Sequence, residues 1–291
     1  MAFLMAAVTV HAGEIVGIVY PFSASESPNN YARNMIQQAN GAQNKYTFVL
    51  ENRPGAAGSI GTQWTETRDN SIVMTSSAFY LRPIFYPKES HNPANFVPLM
   101  TQCNLPMLVL SGKYKNWNEV PKDSSLNISI SGLGATSHLV GLQIQKKFPN
   151  LQVIPYKGTA DALTDISNGL LDFGVGFVSE TLPWVKSGKL NALGTTGTQS
   201  VEGIPTLKSH GFDNADSIQL GMALYVPKTI SNEKYNEWRE ILMEASKSKS
   251  VLDSYQADSC VPNVLDRQQT FNWYQTQLKQ WKMLTDGIAI K

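Results

Sequence analysis

Residues 51–61 read Glu51-Asn52-Arg53-Pro54-Gly55-Ala56-Ala57-Gly58-Ser59-Ile60-Gly61. The apolar Phe48-Val49-Leu50 ahead of them ends a strand, and the glycines turn the chain into a helix. Such a turn leaves backbone N–H groups at a helix start, where partial positive charge can gather an anion or an acidic side chain. The same shape also serves as an ordinary strand-to-helix turn whose glycines relieve crowding. Working outward, 14–20 is an apolar strand stopped by Pro21. Tyr31, Ala32, Met35, Ile36 and Ala39 recur at helical spacing up to Gly41. Residues 46–50 and 71–75 are two more strands. A β-α-β-α-β run predicts parallel strands with right-handed crossovers.

Apolar runs at 97–100 and 107–110 follow, broken by Pro106, and after Trp117 and Pro121 the same alternation restarts. Strands are expected at 126–131, 152–156, 172–178 and 190–195. Helices are expected at 138–148, 160–166 and 182–186, the last two stopped by Gly169 and Gly188. In the tail Ser231 can cap a helix with Tyr235, Trp238, Ile241, Leu242 and Ala245 on one face. Phe271, Tyr274, Leu278 and Trp281 make a second stripe. Stripes of this kind belong to a core, and the simplest placement packs them back on the first unit. The expected architecture is α/β with two lobes, 13–115 plus 230–291 and then 116–229, joined by two crossings around a cleft.

The 291 residues suffice for two lobes, and 24 basic against 23 acidic residues give a net charge of +1. With no basic stripe and no polybasic segment, nucleic acid and a charged membrane surface are poor partners. The apolar 3–10 followed by Val10-His11-Ala12-Gly13 resembles a signal peptide over 1–12 without its basic start; a buried first strand or a tail is the alternative. No other apolar stretch approaches the ~18 residues needed to span a bilayer. Cys103 and Cys260 fit no zinc or redox spacing, and leave open either one disulfide or two buried thiols.

No nucleophile elbow, H-E-x-x-H, Walker loop or paired-cysteine site occurs, and no two of His11, His91, His138 and His210 share ligand spacing. Neither catalytic residues, a metal nor a cofactor is therefore expected. Gly132-Leu133-Gly134 follows a strand and precedes a helix. Ser137 stands where a dinucleotide fingerprint needs its third glycine, and no acidic residue ends the next strand. Ser131 to Leu139 suits an anion cradle instead, with small residues, hydroxyls and N–H groups at a helix start. Simple helix capping by Thr136 or Ser137 is the competing possibility.

The order of these motifs resembles the Bug family, the substrate-binding proteins of tripartite tricarboxylate transporters. The run 51–61 is similar to its ENRPGAGG-x-IG signature, and Pro21-Phe22-Ser23-Ala24-Ser25-Glu26-Ser27-Pro28-Asn29 to its P-F-x-A-G-G-x-x-D loop. Ser76-Ser77-Ala78 stands for a Ser-Ser-Gly turn, with Tyr86-Pro87 beyond it. Ser131, Gly132, Gly134, Thr136, His138 and Leu139 match the cradle pattern. Pro155-Tyr156-Lys157-Gly158 and Gly188-Lys189-Leu190 with Ala192-Leu193 complete the series across about 15–230.

The resemblance implies a type II periplasmic binding-protein fold: a soluble, exported, non-enzymatic monomer without cofactor. It would close on a small carboxylate and deliver it to membrane transporter subunits. A sensory receptor that presents its ligand to a membrane signalling partner is the alternative. The implied ligand contacts are Phe22, Ser23, Ala24, Ser25 and Ser77 from the first lobe. The second lobe would supply Gly134, Ala135, Thr136, Ser137, His138 and Phe177.

Three departures bear on the ligand. Ser25 and Glu26 replace the paired glycines, and Asn29 replaces the aspartate. A cleft-facing Glu26 would repel a carboxylate, whereas a solvent-facing one would be neutral to it. Gly176-Phe177 stands where relatives have Asp-Asn, which would remove a charge at the ligand's far end and favour a flatter, more apolar group.

Overall fold

The computed structural model describes residues 13–286 apart from Gln219; the leader expected over 1–12 lies outside the described residues. The chain opens with β1 (Glu14–Tyr20), whose last five residues are buried. Pro28 starts α1 (Pro28–Ala42), and its buried Tyr31, Ala32, Met35 and Ala39 face the sheet. Then come β2 (Tyr46–Asn52), α2 (Ser59–Glu66), β3 (Ser71–Thr75), α3 (Ala78–Phe85) and the long β4 (Phe96–Leu105). As the β-α-β-α-β run predicts, β1 pairs in parallel with both β2 and β3.

Past Pro106 the chain enters a second sheet with β5 (Met107–Ser111), followed by β6 (Leu126–Ile130), α4 (Thr136–Lys147) and β7 (Leu151–Pro155). It continues through α5 (Thr159–Ser167), β8 (Phe173–Phe177), α6 (Val178–Lys186) and β9 (Asn191–Thr195). Strand order there is β7-β6-β8-β5-β9, with β6 parallel to β7 and β8, and β5 antiparallel to β8 and β9. The chain returns through β10 (Leu220–Pro227), α7 (Asn232–Ala245), α8 (Lys249–Ala257), the two-residue β11 (Val261–Pro262) and α9 (Arg267–Thr285). The first sheet has the order β11-β4-β10-β3-β1-β2.

This strand membership moves the expected lobe boundaries. The division at 115 and 229 would leave β5 in the first lobe and β10 in the second. Instead β5 belongs to the second sheet, and β10 lies antiparallel between β4 and β3 of the first. The crossings therefore fall at Pro106 and within 196–219. They are tied to each other: the Met107 N–H donates to Thr196 Oγ1 at 2.9 Å, and the Thr196 N–H donates to the Met107 carbonyl at 2.9 Å. A hinge of two bonded strands can bend as a unit without unravelling either sheet.

The C-terminal helices return to the first lobe as their apolar stripes require. Helices α7 and α8 pack on α1, and α9 packs on β4 and α3. Tyr274 and Trp281 are buried in α9, and Tyr274 packs beside a stacked Phe79–Tyr225 pair with centroids 4.1 Å apart. The Ser231 hydroxyl caps α7 by accepting from the Lys234 N–H. Cys103 on β4 and Cys260 just ahead of β11 form a disulfide, which settles the alternative left open by their spacing.

Candidate functional site

The two lobes meet around a small, narrow cleft cavity of about 20 Å³, room for one or two water-sized groups. Tyr20, Phe22, Glu26, Ser76, Leu220 and Met222 line it from the first lobe and its returning strand. Met107, Ser131, Ala135, Thr136, Ser137 and Phe177 line it from the second. It lies beside both crossings, since Met107 and Leu220 open the strands on which the chain changes lobe. A ligand of several heavy atoms needs more volume than this, so the lobes must part to admit one and then close around it less tightly than they stand here.

One wall is the start of α4. The loop before it is fixed by its own side chains. The Ser131 N–H donates to Ser137 Oγ at 2.9 Å, and the Gly134 N–H donates to His138 Nδ1 at 3.1 Å. Because Nδ1 accepts, the imidazole is neutral with its proton on Nε2. Burial, and then the Arg82 guanidinium, depress its pKa to about 4. His138 thus shapes the cradle and does not line the cavity. The first-turn N–H groups of a helix have no intrahelical acceptor, and those of Thr136 and Ser137 begin α4 at the cavity wall. Thr136 is 2% exposed, and its hydroxyl has no hydrogen-bond partner among the described residues. Two first-turn N–H groups and a buried, unpartnered hydroxyl on one wall are donors from which an anionic oxygen pair could accept.

The other expected contacts separate into two groups. Phe22, Ala135, Thr136, Ser137 and Phe177 line the cavity together. Ser23, Ala24 and Ser25 do not: Ser23 bonds Ser25 hydroxyl to hydroxyl at 2.8 Å, and Ala24 and Ser25 are exposed. Ser77 is buried at the start of α3, where its hydroxyl accepts from the Gly221 N–H at 3.3 Å. Gly134 sits behind the wall against Arg82. Gly176 faces away from Phe177, as alternation along β8 requires. A Cβ there would lie 2.2 Å from Thr159 Cγ2 and 2.6 Å from Thr181 Cγ2. A side chain at 176 would therefore not enter the cavity, which corrects the expectation of a lost charge at the ligand's far end.

The run 51–61 contributes packing rather than anion contacts. None of its residues lines the cavity. A Cβ on Gly61 would come 2.7 Å from Pro21 Cβ and 2.8 Å from the Arg53 carbonyl, so only glycine lets α2 press under the first loop. Ser59, first in α2, is engaged by His91, whose Nδ1 lies 2.9 Å from its Oγ.

Glu26 is the residue that loop composition left undecided. It is 5% exposed and lines the cavity, and its Oε2 accepts from the Tyr20 hydroxyl at 2.7 Å. The solvent-facing alternative is excluded. Nearby, the lobes cap each other's helices. Glu180 near the start of α6 accepts from the Ser27 N–H at the α1 start, at 2.7 Å. Asp258 of the first lobe accepts from the Ser179 N–H of α6 at 3.0 Å, while its other oxygen accepts from the Tyr31 hydroxyl. Arg82 adds a third contact across the cleft by donating to the Leu133 carbonyl at 2.8 Å. Each of these bonds exists only with the cleft shut. No group of histidine, cysteine and acidic side chains able to hold a metal occurs among the described residues.

The model of the tripartite tricarboxylate transporter family receptor matches residues 32–290. The BugT protein of Bordetella pertussis is 20% identical over 284 residues, covering 91% of this chain and 86% of its own. Among solved structures, the periplasmic binding protein BugD superposes with a TM-score of 0.84 at 24% identity, over 94% of this chain and 96% of that one. MatC of Rhodopseudomonas palustris with bound malate superposes with a TM-score of 0.82 at 17% identity, over 94% of this chain and 99% of that one.

Proposed function

Since the chain belongs to the tripartite tricarboxylate transporter family receptors, we propose that it is an extracytoplasmic receptor that traps a small carboxylate between its lobes and passes it to membrane transporter subunits. The observation that carries this reading is the convergence at the cavity of the α4 start and the unpartnered Thr136 hydroxyl. A carboxylate seated there gains charge-assisted bonds without a buried cation. Contacts from Phe22 and Ser76 on the facing lobe are then made only on closure, so ligand and closed state favour each other. The malate held by MatC has the same chemistry. The disulfide supports an oxidising compartment. No described helix is long and apolar enough to cross a membrane.

The test is a thermal-shift screen of the purified protein against mono-, di- and tricarboxylates, amino acids, amides and alkylammonium salts. A carboxylate at a hundredfold its dissociation constant should stabilise the fold by about 2.7 kcal/mol, a rise of several degrees. No shift with any carboxylate sinks the proposal. A companion variant locates the site. Thr136→Val removes a hydroxyl that already lacks a partner, so the ligand-free protein should be as stable as wild type or slightly more so. Its carboxylate affinity should fall by ~1–3 kcal/mol. Unchanged affinity in titration calorimetry would reduce Thr136 to a helix-start residue.

A further inference from the structure

Glu26 is the one carboxyl among the cavity-lining residues, and it shares the cavity with the start of α4, whose N–H groups and Thr136 hydroxyl suit an anion. The groups that act on it are its bonded neighbour Tyr20 on β1, Glu180 on α6 and Asp161 on α5, with Asp258 behind Glu180; none is a cation. Phe22, Met107, Phe177, Leu220 and Met222 make the surrounding wall apolar. An ionised carboxylate here would be desolvated, would repel Glu180, and would oppose the anion that the α4 wall attracts. A neutral carboxylic acid has none of these costs. It also brings an O–H donor, the one group that a second ligand oxygen needs on this side of the cavity.

We propose that Glu26 is a specificity-determining residue that contacts the ligand as the protonated acid, donating its O–H to an acceptor oxygen of the carboxylate held on α4, so that the receptor binds its anion together with one retained proton. The inference rests on the carboxylate reading of the site. It turns an apparent obstacle to anion binding into a contact that only an oxygen acceptor can use; an alkylammonium ligand, which has only donors, would be rejected. Burial pushes the Glu26 carboxyl up to about 8, with Glu180 and Asp161 adding to the rise and the Tyr20 hydroxyl opposing it. The sign follows. In the shut, ligand-free cleft the acid is the form present below about 8. Above it, each added pH unit must cost up to about tenfold in affinity, because the bound state keeps a proton that the free protein loses.

The experiment is titration calorimetry of the full chain with succinate, malate and adipate between pH 6 and 9.5, on wild type, Glu26→Gln and Glu180→Gln. Wild type should lose affinity above pH 8 and there take up close to one proton on binding, read from the dependence of the binding enthalpy on the buffer's ionisation enthalpy. Glu26→Gln, neutral at every pH and still a donor, should bind with flat affinity and exceed wild type about tenfold or more at pH 9.5. A flat wild-type profile overturns the inference and leaves the carboxylate reading standing. A slope kept by Glu26→Gln but lost in Glu180→Gln moves the proton to the interlobe contact and also overturns it. Propylammonium binding that strengthens with pH would make Glu26 a cation partner instead. Absence of carboxylate binding at pH 6 in all three proteins overturns the underlying reading as well.

Discussion

Replacing Cys103 and Cys260 together by alanine is expected to lower the unfolding free energy by about 2–5 kcal/mol, read as a lower urea midpoint with a steeper slope, since the unfolded chain without the bridge is more expanded. The bridge joins positions 157 apart, so the loop it closes contains the whole second lobe and both hinge crossings. Loop-closure entropy for such a length is about 5 kcal/mol in the chain-entropy model, and native bridges usually deliver somewhat less. Its location adds a local term. Cys103 lies on β4, one strand in from the sheet edge, and β11 has only two residues to hold that edge. Without the bridge, Val261 and Pro262 rely on short pairing to Asn104 and Cys103. Reductant should reproduce the double variant. A midpoint that does not move on either treatment would mean that the bridge adds no stability beyond what the packing of α8 and α9 supplies.

The bridge also marks where sequence stops being informative. Periodicity located the elements because burial of one face is a local property. Tyr31, Met35 and Ala39 read as a helix face and are one. Sheet membership is not local. All eight residues of β10 are buried, so its pattern records burial on both faces and nothing about its partners, which are β4 and β3 at the far end of the chain. Likewise β5 follows β4 with only Pro106 between them, yet enters the other sheet.

The site was legible where it follows from one strand-loop-helix unit, as at Ala135, Thr136 and Ser137. It was not legible where two lobes compose it. Glu26 belongs to a polar loop and looks like a surface residue until Gly158 and Glu180 close over it. Alternation along β8 could have separated Gly176 from Phe177 at once. Nothing local could have paired Asp258 with Ser179, or Glu180 with Ser27, because each contact needs the other lobe.

Closure itself can be blocked from one position. Gly134→Val is expected to weaken carboxylate binding by ~1–3 kcal/mol, about 5–150-fold, while both lobes stay folded. Gly134 has φ +87°, and a Cβ there would lie 2.8 Å from Arg82 Cδ and 3.2 Å from Arg82 Cα, both across the cleft. Two costs follow, and they fall on different states. The left-handed backbone strains any branched residue by ~1–2 kcal/mol whether the cleft is open or shut. The clash with Arg82 arises only when the lobes meet, so it subtracts from the closed population on which affinity depends. An Arg82→Ala background separates the two. It removes Cδ but keeps Cα, so the penalty of Gly134→Val on binding should shrink without vanishing. A penalty of equal size with and without the arginine side chain would assign the whole effect to the α4 loop, and Gly134 would then matter for the shape of the cradle and not for the fit between lobes.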